Sequence, residues 1–229
     1  MRILLTNDDG FDAAGLAALG SAAGSLGEVS LLAPASQQSY VGHRVSTASP
    51  LRLTELAPGE FHLDGTPADC VRVALRGLDQ TFDWVLSGIN HGGNLGADVY
   101  TSGTVAAARE AALLGVRAIA ISQFHRRPHP EDWALSAALA KRAIQHIFAA
   151  PSSPGTYWNV NLPHPVFNPD SIPLVHCDID PAPLDVAFTR HGEDFLYAGR
   201  YMARTASPGH DVEHCFGGAI TITRICIAR

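Results

Sequence analysis

The feature that most constrains the fold is the alternation of short apolar runs with helical segments. Arg2 to Thr6 is an apolar, strand-like run, and an Asn-Asp-Asp-Gly turn separates it from a helical stretch at about 13–23. This alternation predicts a mostly parallel sheet with helices on both faces. Further strands are predicted at 28–33, 82–87 and 117–122, and further helices at about 66–76, 104–114 and 132–148.

The pattern changes after about Pro151. Prolines become frequent, and 184–203 and 219–227 alternate in a way typical of antiparallel strands or an extended hairpin. Neither an internal repeat nor a linker divides the chain, and 229 residues suffice for one large domain. We therefore expect a single α/β domain over 1–229, with a core at about 1–165 and a C-terminal β-hairpin and arm at about 166–229.

Composition excludes several classes of partner. The net charge is −6 and the basic residues are scattered, which argues against long nucleic acid. No run approaches the roughly 20 apolar residues of a membrane span, and the N-terminus is a poor signal peptide, so we expect no membrane and a cytoplasmic protein. The four cysteines form no CxxC pair and are expected to be reduced and buried. Lys141 is the only lysine and follows no glycine-rich loop, which excludes a P-loop.

Two adjacent carboxylates follow the first predicted strand. Ligands of an open parallel sheet bind beyond the carboxyl ends of its strands, where Asp8 and Asp9 are expected. Neighbouring carboxylates repel, and a hard divalent cation relieves that repulsion, so the pair is a candidate ligand set for Mg²⁺ or Mn²⁺. The alternative is a turn in which one aspartate caps the following helix.

Three further loops are expected at the same edge of the sheet. Asn90 and Asn94 lie in a glycine-rich loop that either approaches a ligand or is a flexible connection. The segment 102–104 leads into a helix, where it forms an anion-binding site, an ordinary N-cap, or both. Ser39 follows the second strand, in a loop without a GxSxG nucleophile motif. Together the loops offer an all-oxygen ligand set that suits Mg²⁺ or Mn²⁺ better than zinc.

The eleven histidines do not form a recognisable zinc motif. No HExxH occurs, and 125–129 is interpreted as an exposed, proline-bearing loop. His43 and His91 lie near candidate ligands, where each either assists proton transfer or is a bystander.

Several blocks of the chain resemble the SurE survival proteins, a family of divalent-metal-dependent 5′/3′-nucleotidases and acid phosphatases. The resemblance implies a Rossmann-like core, a protruding hairpin and a homodimer or homotetramer. It rests on 1–10, Ala33-Pro34 with Ser39, 65–71, 87–90, 94–96 and 102–107. It implies metal ligands at Asp8, Asp9, Ser39 and Asn90, with Asp8 and Asp9 catalytic, and a phosphate site lined by Asn94, Ser102, Gly103 and Thr104.

We therefore expect a phosphomonoesterase that hydrolyses nucleoside 5′- or 3′-monophosphates by attack of an activated water, with one Mg²⁺ or Mn²⁺ per subunit. Besides binding the metal, Asp8 has two alternative roles, as a covalent nucleophile or as a general base. The alternative function is a non-catalytic nucleotide-binding regulatory module that retains the metal site.

Overall fold

The computed structural model describes residues 1–151 and 153–227. Nine strands form one sheet in the order β3-β4-β2-β1-β5-β6-β7-β11-β8, and β9 and β10 form a separate antiparallel pair. The strands are β1 Arg2–Thr6, β2 Glu28–Pro34, β3 Leu53–Ala57, β4 Glu60–Leu63, β5 Trp84–His91, β6 Arg117–Gln123, β7 Thr156–Leu162, β8 Leu174–His176, β9 Phe188–His191, β10 Asp194–Tyr197 and β11 Ile220–Cys226. The helices are α1 Ala14–Ala23, α2 Pro67–Arg72, α3 Gly103–Leu113, α4 Trp133–Phe148 and α5 Asp211–Phe216.

The central strands are parallel, so their carboxyl ends meet at one edge of the sheet. β1 pairs in parallel with β2 on one side and β5 on the other, and β6 continues this arrangement. Helices α1 and α4 cover one face of the sheet, while α2 and α3 cover the other. The predicted α/β, Rossmann-like class is therefore confirmed, with the carboxyl edge of β1, β2 and β5 positioned for ligand binding.

The start of α2 follows the sequence prediction. Thr66 accepts a hydrogen bond from the Asp69 amide at 3.2 Å, and the Asp69 carboxylate accepts one from the Thr66 amide at 3.0 Å. Pro67 occupies the first helical position, where its missing donor costs nothing. A π-helical turn at Val73–Gly77 completes the predicted helical segment.

The C-terminal part departs from the predicted boundary near residue 165. The hairpin of β9 and β10 is present as predicted. However, β11 lies within the main sheet, antiparallel to β7 and parallel to β8. The core therefore extends past residue 165, because β11 buries its first residues, 220–223, between two strands.

Smaller differences concern individual side chains. All four cysteines are free, and Cys70 and Cys215 are buried as expected, but Cys177 is half-buried and Cys226 is exposed. Cys226 ends β11, where burial along the strand gives way to exposure. Across residues 1–151 and 153–227, no helix combines the length and apolar character needed to cross a bilayer.

Candidate functional site

Asp8 lies directly beyond the carboxyl end of β1, and its side chain is almost fully buried, with 4% exposure. The preceding Asn7 holds the turn, since its side chain accepts from the Gly10 amide at 3.2 Å and donates to the Gly10 carbonyl at 2.8 Å. Gly10 has a φ of +102°, a value that side chains disfavour. The Asn-Asp-Asp-Gly sequence therefore fixes both carboxylates at the end of a central strand.

The Asp8 carboxylate is bonded to the N-terminus of α3. The Thr104 hydroxyl donates a hydrogen bond to Asp8 Oδ1. The pKa of Asp8 is nevertheless raised from its usual 3.8 to about 6, because burial, the main cause, and the Asp9 charge together outweigh the opposing effect of hydrogen bonding from Thr104. Among the described residues, no basic side chain forms an ion pair with Asp8. This buried carboxylate therefore has no cationic partner in 1–151 or 153–227.

Asp9 joins β1 to the end of β5. Its Oδ2 accepts a hydrogen bond from the His91 amide at 2.9 Å. Asn90, one residue earlier, is half-buried and donates its side-chain amide to the Gly92 carbonyl at 2.8 Å. The structure thus places Asn90 beside the acidic pair, at the end of the neighbouring strand.

The loop after β2 is tied to the same turn through its backbone. The Gln38 amide donates to the Asp8 carbonyl at 2.7 Å, and the Phe11 amide donates to the Pro34 carbonyl at 2.9 Å. Ser39 is the next residue, exposed, and its hydroxyl accepts from the Gln37 side chain at 2.8 Å. Ser39 therefore lies at the outer side of the site, whereas Asp8 lies at its base.

Asn94 is held rigidly by partners on two strands. Its side-chain amide donates to Ser122 Oγ at 2.7 Å, and its own amide donates to Asn161 Oδ1 at 2.8 Å. Its carbonyl accepts from the side chains of Asn159 at 2.9 Å and Asn161 at 3.1 Å. Sequence reasoning missed Asn159 and Asn161, although their spacing on one face of β7 was the available signal.

Ser102, Gly103 and Thr104 open α3 against Asp8. Ser102 is the N-cap, with Oγ accepting from the Val105 amide at 3.1 Å. A Cβ at Gly103 would lie 2.9 Å from both Cβ and Oδ2 of Asp8. Only glycine lets the helix start approach the carboxylate this closely. Part of the predicted anion-binding site thus binds Asp8 itself, because the Thr104 hydroxyl donates a hydrogen bond to the Asp8 carboxylate.

A C-terminal segment braces the loop that contains Asn94. Arg204 donates to both carboxylate oxygens of Asp98, at 2.7 and 2.8 Å, and to the Leu95 carbonyl at 3.2 Å. The Tyr201 hydroxyl bonds Asp98 at 3.0 Å and the Gly93 carbonyl at 3.1 Å. No motif predicted this contact, since its partners lie more than 100 residues apart.

The prediction about the loop histidines needs correction. The segment 125–129 is not uniformly exposed, since His125 and Arg126 are half-buried. His43 bonds the buried Glu110 at 2.7 Å, which gives it a structural partner away from Asp8.

Fold and geometry together define a Rossmann-like α/β protein with a cluster of acidic and amide side chains at the carboxyl ends of its parallel strands. The model of the family described as "Survival protein SurE" matches residues 3–193. The chain belongs to the SurE family.

Similar proteins support this assignment over nearly the whole chain. A protein of Nostoc sp. (strain PCC 7120) is 43% identical over 98% of this chain and 99% of its own length. The 5′-nucleotidase SurE of Paramagnetospirillum magneticum is 37% identical over 99% of this chain and 90% of its own. The crystal structure of the SurE protein from Aquifex aeolicus superimposes with a TM-score of 0.86 at 30% identity, and covers 99% of this chain and 93% of that one.

Proposed function

We propose that the protein is a divalent-metal-dependent phosphomonoesterase that hydrolyses nucleoside 5′- or 3′-monophosphates to nucleoside and phosphate. Relatives that match nearly the whole chain carry the name 5′-nucleotidase SurE. The observation that carries the proposal is the buried Asp8 carboxylate, which adjoins Asp9 and has no cationic partner among the described residues. A buried, uncompensated charge is costly, and a bound cation removes that cost.

The residues present fit a hard divalent cation. Asp8 and Asp9 offer carboxylate oxygens, Asn90 an amide oxygen and Ser39 a hydroxyl, and the backbone bonds described above bring their loops to one edge. This oxygen-only set suits Mg²⁺ or Mn²⁺, which prefer carboxylate, carbonyl and water ligands. When bound, such an ion supplies positive charge that stabilises developing negative charge on the phosphoryl group and makes water more acidic.

The chain's own residues position the substrate and the ligands. Thr104 orients Asp8 through its hydroxyl hydrogen bond, and Gly103 leaves space for the carboxylate. We assign Asn94, Ser102, Gly103 and Thr104 to the phosphate side of the site, where a helix N-terminus favours negative charge. Asp8 and Asp9 are the proposed catalytic residues, and attack by water requires no phosphoenzyme.

The alternative is a nucleotide-binding regulatory module that keeps the metal site without turnover. Such a module would bind nucleoside monophosphates yet release no phosphate. The decisive measurement is phosphate release from a panel of nucleoside 5′- and 3′-monophosphates and p-nitrophenyl phosphate, with Mg²⁺, Mn²⁺ or chelator.

Asp8→Asn is the test variant, and Asp12→Asn is the matched control because Asp12 is an exposed carboxylate of the same segment. Metal-dependent release that collapses in Asp8→Asn and persists in Asp12→Asn supports the phosphatase. Nucleotide binding without release under any metal supports the regulatory module, and a trapped phospho-aspartate would replace water attack by covalent catalysis.

We also propose that the chain, as a single unit over 1–229, forms a homodimer or homotetramer through its C-terminal hairpin. Phe188, Phe195, Leu196 and Tyr197 are each more than half exposed on β9 and β10. A two-stranded hairpin is only marginally stable alone, so packing against a second copy would stabilise it.

A further inference from the structure

Three side chains outside the oxygen-lined site converge from separate parts of the chain. His91 ends β5, His125 follows β6 by two residues, and Glu131 precedes α4. His91 Nε2 lies 2.5 Å from Glu131 Oε1, and His125 Nε2 lies 3.4 Å from the same oxygen. The ligand atoms of all three residues lie within 4.8 Å of one another.

We propose that His91, His125 and Glu131 form a second metal site, selective for a borderline transition-metal ion such as Zn²⁺. Two imidazoles and one carboxylate are a recurrent ligand set for Zn²⁺, and imidazole nitrogen disfavours Mg²⁺. The proposed nucleotidase site offers only oxygen, so the two sites differ in the ion that each prefers.

The ligand atoms, all within 4.8 Å of one another, can be compared with the spacing around a tetrahedral ion. With metal–ligand bonds of about 2.1 Å at tetrahedral angles, ligand atoms stand roughly 3.4 Å apart. The separation of His125 and Glu131 matches this spacing at 3.4 Å, and His91 must withdraw from Glu131 by about 1 Å. His91 is half exposed at 51%, so its ring can move while leaving space for water to complete the coordination.

The surrounding residues hold the ligands in place without competing for the ion. His164 accepts from the Arg126 amide at Nδ1 and bonds the Pro130 carbonyl at Nε2, so both of its ring nitrogens are engaged. It therefore braces the loop that carries His125 and Glu131. Within the described residues, His125 Nδ1 has no hydrogen-bond partner, which leaves the ring free to carry its proton there and present Nε2 to an ion.

The site can be tested by metal binding, independently of activity. We expect titration of the full chain with Zn²⁺, in excess Mg²⁺, to show one tight site per subunit that persists in Asp8→Asn. His125→Ala and His91→Ala should each weaken it by at least about 100-fold, beyond the loss typical of removing an outer hydrogen-bond partner. His91→Ala is expected to keep the native fold, because the His91 side chain is exposed, so its loss of Zn²⁺ affinity cannot be attributed to misfolding.

His146→Ala is the matched control, since His146 contacts a second histidine, His176, at 2.8 Å near the C-terminal end of α4, whereas Glu131 precedes the start of that helix. Zinc affinity should be unchanged in this variant. A Zn²⁺ site that disappears in His146→Ala and survives in His125→Ala would overturn the proposal. The absence of any Zn²⁺ binding would also overturn it, and Glu131 would then be a hydrogen-bond acceptor only.

Trp133 supplies a local signal, because its ring centroid lies 6.3 Å from that of His91. We expect Co²⁺ to quench its fluorescence in the native chain and in His146→Ala, but not in His125→Ala. In Trp133→Phe the quenching should be lost while Zn²⁺ affinity is retained. Quenching that remains in Trp133→Phe would place the ion near another tryptophan and contradict the assignment.

Discussion

The buried carboxyl of Asp8 makes the stability of the metal-free protein depend on pH. Its pKa is raised to about 6, so the folded state keeps a proton that the unfolded chain has released above 3.8. This stabilising contribution is complete below about pH 4 and is lost as pH rises through about 6. The difference corresponds to about 2–3 kcal/mol in the free energy of unfolding.

Asp8→Asn should remove this dependence. In chelator, the fall in unfolding free energy from pH 4 to pH 8 should be smaller in the variant than in the native chain by about 2–3 kcal/mol. Urea unfolding measures it, with Asp12→Asn as the control that keeps the native slope. Mn²⁺ at pH 8 should stabilise the native chain and not Asp8→Asn. Parallel pH curves for native and Asp8→Asn would contradict the burial argument.

Gly103→Ala tests the close approach of α3 to Asp8. The added Cβ would lie 2.9 Å from Asp8 Oδ2, so the carboxylate must shift. We expect kcat/KM for phosphate release to fall by about 10- to 100-fold, the range found when supporting contacts of metal ligands are lost. Gly20→Ala is the control, since a Cβ there meets only Leu5 at 3.9 Å, and it should retain full activity. Equal activity in both variants would show that Asp8 tolerates displacement.

The segment around Arg204 links the C-terminal part of the chain to the Asn94 loop. Arg204→Ala removes three hydrogen bonds and leaves Asp98, whose side chain is 17% exposed, without its ion-pair partner. We expect KM for nucleoside monophosphate to rise by about 10-fold or more, since the loop loses its brace. Steady-state kinetics checks this, and Arg204→Lys, which keeps the charge, should be intermediate. An unchanged KM in Arg204→Ala would mean that the remaining contacts of the loop, those of Tyr201 and Asn161 among them, suffice to hold it.

Sequence patterns predicted the buried parallel strands well because burial shapes their composition. Residues 3–6 of β1 are fully or nearly fully buried, and their apolar run was recognisable. Strands β3 and β4 were not predicted, since they are mostly exposed or half-buried and carry several polar residues. β11 was recognised as extended, but its pairing with β7, more than 50 residues away, follows from tertiary packing alone.

The candidate site likewise contains residues that local sequence patterns predict and residues that only tertiary packing brings together. Asp8 and Asp9 follow β1, and Asn90 lies at the end of β5, so motif and position suffice to place them at one edge of the sheet. Glu131 meets His91 only because the loop before α4 folds back over the end of β5, and no local spacing encodes that approach. Residues in loops far apart in sequence therefore escape detection even when they contact the predicted site.

At the scale of the whole molecule, the exposure of the hairpin of β9 and β10 is the feature that packing within a single chain explains least. All eight of its strand residues are exposed, including Phe195 and Tyr197, which alternate onto one face. The main sheet does not include these strands. Exposed aromatic side chains on a marginally stable hairpin favour burial against another copy of the chain.

Phe195→Glu combined with Tyr197→Glu should therefore dissociate the assembly, because it places like charges on that face. Light scattering should give a multiple of 24.3 kDa for the native chain and 24.3 kDa for the double variant. Glu193→Gln, in the turn between the strands, is the control and should keep the native mass. A native chain of 24.3 kDa at micromolar concentration, or a double variant that stays assembled, would rule out the hairpin as the interface.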